Sequence, residues 1–242
     1  MPITYAHCRF GEEMLHRMPA DVRGTVKRHK MLFDIGLQGP DPLLYYPPVW
    51  RGKVRRLGQK FHMQTGREFF SRVCRTLRRD PNDSGQAYLY GVLCHFALDA
   101  NCHPLIAQTE NPGQIAIAFD RFLMMRDGCM ATGQMAHMAL TDWEWGIISR
   151  FYPGTDKRML RQSVRNMAKT RRILEMGDGV TRTAWTLTRG WSEQLPVCTC
   201  WNLPMLERYR QAAESFPEML LKLIAHLQYN APLGEKFEPI FG

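Results

Sequence analysis

His95, Asp99 and His103 follow one another at four-residue intervals within the apolar stretch 88–104. On an α-helix each step of four drifts by only about 40°, so the three side chains share one stripe. Burying two imidazoles and a carboxylate beside Leu93, Phe96 and Leu98 is costly unless something compensates them. A divalent metal does this, because neutral His and ionised Asp are ligands that zinc takes. The triplet alone also fits a satisfied polar seam in a core helix, with Asp99 accepting from one His and a backbone carbonyl serving the other. Residues elsewhere must decide between the two.

Three further residues can complete a metal site. His62 sits in Lys60-Phe61-His62-Met63, next to an apolar face. Asp41 lies in Gly39-Pro40-Asp41-Pro42, where the prolines leave a carboxylate little chain entropy to lose. His7 lies on the first helix. Each also has an ordinary reading, as a partly buried histidine or, for Asp41, as a turn former.

The elements that must position these residues read almost wholly as helices. Periodicity predicts helices over 5–18, 20–31, 57–79, 115–125, 130–140, 143–151, 156–176 and 205–229. The segment 80–85 is a loop whose Asp83 or Ser84 caps the helix carrying the triplet, and Pro104 nearly ends that helix. Residues 36–42 are turn chemistry leading into a short aromatic segment, 43–46. Only 180–187 hints at a strand. Methionines 124, 125, 130, 135 and 138 and tryptophans 143, 145, 185, 191 and 201 are expected to fill the core. The expected architecture is all-α, a single multi-helix globular domain over 1–242.

The net charge of +9 is concentrated. Residues 51–79 hold ten Lys or Arg against Glu68 alone, and residues 157–172 hold seven with no acid. Such helices attract polyanions or anionic headgroups, although a solvated basic face without a partner has the same composition. No base-reading module or stacking platform accompanies them, so no nucleic-acid partner is expected. Seven cysteines without framework spacing fit reduced thiols, and the opening residues lack a basic then apolar leader, so the protein is expected in the cytoplasm. No uncharged run is long enough to predict a membrane span.

Taken together, Ala6-His7 with Arg9-Phe10-Gly11, then residues 35–41 ending in Gly39-Pro40-Asp41, then His62, then Gly91 to Pro104, resemble the zinc-dependent phospholipase C family, which shares its all-helical fold with the S1/P1 nucleases. The resemblance is clearest over 3–126 and ends in Phe119-Asp120-Arg121-Phe122-Leu123. It implies one zinc held by Asp41, His62, His95 and Asp99. A second zinc would be held by His7, Asp99 and the chain's amino terminus, and Asp41 would orient the attacking water. A third zinc would take His103 with a His and a Glu just before the Phe-Asp-Arg segment, where this chain has Pro112 and Ala116. One or two zinc ions are therefore expected, with His103 alone left at the third position.

The expected function is a metal-dependent phosphoric-ester hydrolase acting on a phospholipid or another anionic phosphodiester, with peripheral membrane contact through the basic helices. The alternative is a catalytically impaired metal-binding protein that binds anionic lipid or a polyanion. In that case the remaining zinc is structural, because four protein ligands close its coordination.

Overall fold

The fold is organised around one helix that is buried on nearly every side. The computed structural model describes residues 4–46, 52–129, 140–175 and 200–241. In chain order the helices are α1 (Thr4–Arg17), α2 (Ala20–Arg28), α3 (Lys30–Gly36), a 3-10 turn (Asp41–Tyr45), α4 (Lys53–His62), α5 (Gly66–Arg79), α6 (Asp83–Ile106), α7 (Pro112–Arg126), α8 (Asp142–Phe151), α9 (Lys157–Glu175), α10 (Asn202–Tyr229) and a second 3-10 turn (Glu235–Phe237). Among the described residues there is no strand, only an isolated antiparallel bridge between Thr65 and Ile240. The chain is all-α, as expected.

The 24-residue α6 has apolar side chains all round, and a helix of that kind belongs in a core. Helices α1, α2, α3, α5, α7, α8 and α10 pack around it. Asn82 starts it by accepting from the Gly85 N–H at 2.7 Å, one position before the residues expected to cap it. Its end lies at Ile106, two residues past Pro104.

The backbones of α3 and α6 approach closely where the two helices cross. A Cβ at Gly91 would overlap the Phe33 carbonyl oxygen and lie 2.9 Å from the Gly36 Cα, and a Cβ at Gly36 would overlap the Tyr88 carbonyl. Only hydrogen fits between the two backbones. The crossing lays the turn that follows α3 across α6 at the level of His95.

Two predicted helices divide. The apolar stripe of 57–79 reads as continuous, yet α4 ends at His62 and α5 starts afresh at Gly66. Thr65 and Glu68 form a reciprocal capping box there, which nucleates the new helix at a local bond geometry the stripe does not reveal. The stretch 20–31 likewise breaks at His29. The expected helix over 130–140, except for its last residue, and the ambiguous 180–187 lie outside the described residues, as do Met130, Met135, Met138, Trp185 and Trp191. Of the residues expected to fill the core, Trp145 is buried, but Met125 is 82% exposed and Trp143 is also exposed, because each sits on the outer face of its helix.

No described helix is long and apolar enough to cross a membrane.

Candidate metal centre

Helix α6 delivers His95, Asp99 and His103 from successive turns, and α1 delivers His7 against them. The His7 and His95 rings stack with centroids 4.3 Å apart. His7 Nε2 lies 3.2 Å from Asp99 Oδ1, His95 Nε2 lies 3.1 Å from Asp99 Oδ2, and His103 Nε2 lies 3.3 Å from that same oxygen. None of these atoms makes a hydrogen bond of proper geometry, although all are buried. Orphaned polar atoms at such a density are rare in a native core and need a cause. Two ligands bound to one tetrahedral zinc at about 2.0–2.1 Å sit about 3.3 Å apart, which is the spacing found here. The donor set fits a metal by spacing as well as by chemistry.

Ring orientation points the same way. His95 Nδ1 is 3.2 Å from the Leu37 carbonyl, which can only accept, so Nδ1 carries the proton and Nε2 offers its lone pair inward. His62 repeats the arrangement, with Nδ1 donating to the Gly58 carbonyl at 2.7 Å. Its Nε2 faces Asp41 Oδ1 at 2.8 Å. A carboxylate also only accepts, so this contact requires either a second ring proton or a cation shared by the two side chains.

The electrostatics follow from a carboxylate ringed by imidazoles. Burial alone would raise the Asp99 pKa, but His103, His95 and His7 outweigh it and hold Asp99 well below the usual carboxylate range. Burial likewise works against the Asp41 carboxylate, and neighbouring positive charge with the His62 bond again wins, leaving it ionised. Burial and the charge of His95 hold His7 below its ordinary value, which favours the neutral, ligating ring. For His95 burial acts downward and Asp99 upward, and Asp99 prevails.

Of the residues singled out from the sequence, His7, His95 and Asp99 place one ligand atom each within 4.8 Å of one another. His103 joins through Asp99, and its side chain, 17% exposed, is the most open of the four. Asp41 and His62 form a buried pair of their own outside that triple. At the third position Pro112 opens α7 and Ala116 is buried in it, and neither side chain carries a donor atom.

Several positioning groups were not legible beforehand. Gly39 has φ +48, and a Cβ there would overlap the His95 ring, so this turn rests directly on the imidazole. Asp120 of α7 accepts from the Tyr5 and Ala6 N–H groups at 3.0 and 2.9 Å, capping the first turn of α1 immediately before His7. Arg9 then pairs with Asp127 at 2.6 Å, fastening α1 to the end of α7. We expect Asp120→Ala to cost about 1–2 kcal/mol and to weaken zinc binding by loosening His7, with Asp120→Asn recovering part of both. Thermal unfolding and a chelator competition titration measure the two effects.

A family model described as zinc-dependent phospholipase C matches residues 6–184. No curated protein and no solved structure matches.

Proposed function

The chain belongs to the zinc-dependent phospholipase C family, and from that premise we propose that it hydrolyses a phosphodiester of a phospholipid or a related anionic phosphoester. The observation that carries this reading is the set of orphaned donors at His7, His95, Asp99 and His103, spaced as ligands rather than as hydrogen-bond partners.

His7, His95 and Asp99 would hold a metal, with Asp41 and His62 contributing from the neighbouring pair and His103 through Asp99. Zinc in such a site supplies a Lewis acid for the phosphoryl oxygen and an acidified water as nucleophile. The protein does the remainder. Asp41, held ionised by neighbouring positive charge and its bond to His62, would orient the attacking water. The Leu37 and Gly58 carbonyls hold two imidazoles in the donor tautomer. The buried walls of α3 and α6 limit the water that reaches the reacting atoms.

The substrate side of the proposal rests on charge. Helices α4 and α9 both pack on the 3-10 turn that carries Asp41. Between them they expose Lys53, Arg56, Lys60, Lys157, Arg158, Arg165 and Lys169, and none of these pairs with an acid among the described residues. Such a face suits peripheral contact with an anionic membrane and would steer phosphoesters toward the site. A cytoplasmic location belongs to the same proposal and rests on the irregularly spaced cysteines.

The test is turnover of anionic phospholipid vesicles and of a chromogenic phosphodiester by zinc-loaded protein, with and without chelator. Chelator-sensitive release of the phosphorylated headgroup supports the proposal. Reversing Lys157, Arg158, Arg165 and Lys169 to Glu should lower vesicle binding by about tenfold or more while leaving the zinc content unchanged. The donor-free Pro112 and Ala116 favour a second reading, a metal-binding protein without turnover. Stoichiometric zinc with no hydrolysis of either substrate would establish that reading instead.

A further inference from the structure

Residues 235–241 lie outside the family-matching span, yet they close the back of the metal centre. The Gly66 N–H donates to the Pro239 carbonyl at 2.9 Å and the Phe241 N–H donates to the Gln64 carbonyl at 3.2 Å, so this strap pairs with the short link between α4 and α5. Arg67 pairs with Glu238, and Lys236 lies 2.5 Å from Glu218 of α10. The backbone pairing inserts two aromatic rings into the core. Phe237 packs on Phe70 and Phe96 at centroid distances of 5.4 and 6.0 Å. Phe241 reaches further. It meets Phe69 and Phe96 at 4.9 Å each and lies 6.2 Å from the His95 ring, with planes 28° apart.

We propose that this strap is a positioning element of the metal centre, and that Phe241 is the residue through which it sets the His95 imidazole. The inference rests on the metal reading above and adds to it a part of the chain that the family match does not include. The His95 ring then has defined neighbours from three separate segments: the His7 ring of α1, the turn at Leu37 and Gly39, and Phe241. An imidazole confined in this way keeps its lone pair on the metal direction without spending rotamer freedom each time it binds. The coupling is reciprocal, because whatever the strap adds to zinc affinity, zinc returns to the docking of the strap.

Phe237 makes the proposal falsifiable, since it lies on the same strap and in the same aromatic cluster but packs on phenyl rings alone. Phe241→Leu and Phe237→Leu keep apolar bulk and should both fold with comparable losses in Tm. Zinc affinity by chelator competition and the visible absorption of the cobalt-substituted protein are then compared. We expect the zinc Kd of Phe241→Leu to rise about tenfold and its cobalt bands to shift, with both unchanged in Phe237→Leu. In the native chain, chelation should accelerate hydrogen exchange at the Phe241 amide. Equal effects of the two substitutions, or an unaltered Kd in Phe241→Leu, would overturn the inference while leaving the metal reading intact. A native protein that binds no stoichiometric zinc would overturn the metal reading itself, and this inference with it.

Discussion

Asp99→Asn is expected to abolish stoichiometric zinc binding, with the Kd rising by about a thousandfold or more and the proposed hydrolysis lost with it. Asp99 lies within 3.3 Å of three imidazole nitrogens, so its charge acts on His7, His95 and His103 at once. Asparagine preserves shape but leaves a neutral amide, and the three imidazoles then face a cation without the carboxylate they share. The loss also appears as stability. With free zinc at a thousand times Kd, binding contributes about 4 kcal/mol to the native protein and nothing to the variant. Metal analysis of the purified variant, and unfolding curves with and without chelator, measure both effects, while circular dichroism checks that the helices remain. His95→Ala should likewise lose its metal. Retention of stoichiometric zinc by either variant would refute the assignment.

Among the described glycines, Gly91→Ala is expected to be the most damaging addition of a single methyl group. The new carbon would meet the Phe33 carbonyl and the Gly36 Cα, both backbone atoms of α3, and neither can swing aside as a side chain can. Helix α3 must lift from α6. Buried apolar contacts along Leu32, Phe33 and Ile35 open with it. A cost of about 3 kcal/mol or more follows, or roughly 6–12 °C in Tm for a chain of this size. Zinc affinity should fall in parallel, because Leu37, Gly39 and Asp41 are the residues that α3 leads into. Gly24→Ala is the control, since a Cβ there meets only the end of the Arg28 side chain at 3.6 Å, and helix propensity predicts a small gain in stability. A drop of less than about 1 kcal/mol in Gly91→Ala would show that the crossing is not as tight as described.

The parts of this molecule that were legible in the sequence are those whose meaning is local. Four-residue spacing alone puts His95, Asp99 and His103 on one stripe, because helix geometry fixes their relation without reference to the rest of the chain. The all-helical character follows from periodicity for the same reason. The break between α4 and α5 was also written locally, as Thr65 and Glu68 at capping-box spacing, but the apolar stripe through Phe61, Phe69 and Phe70 concealed it. Other features have no local signature. That Gly36 and Gly91 touch, that Asp120 caps a helix whose first residues lie more than a hundred positions away, and that Phe241 lies beside His95 are consequences of packing between distant segments. The resemblance placed Asp120 inside a recurring motif, but the reason for a carboxylate there shows only when α1 and α7 are seen together.

The docking of Phe241 also bears on how the protein is made. A ribosome delivers His7, Asp41, His62, His95 and Asp99 first, and Phe241 emerges about 140 residues after Asp99. At about 5–20 residues per second that interval is on the order of ten seconds. Throughout it, the nascent chain holds these donors but lacks the wall behind them, so on the role proposed for Phe241 the centre is fully tuned only after the strap has been made.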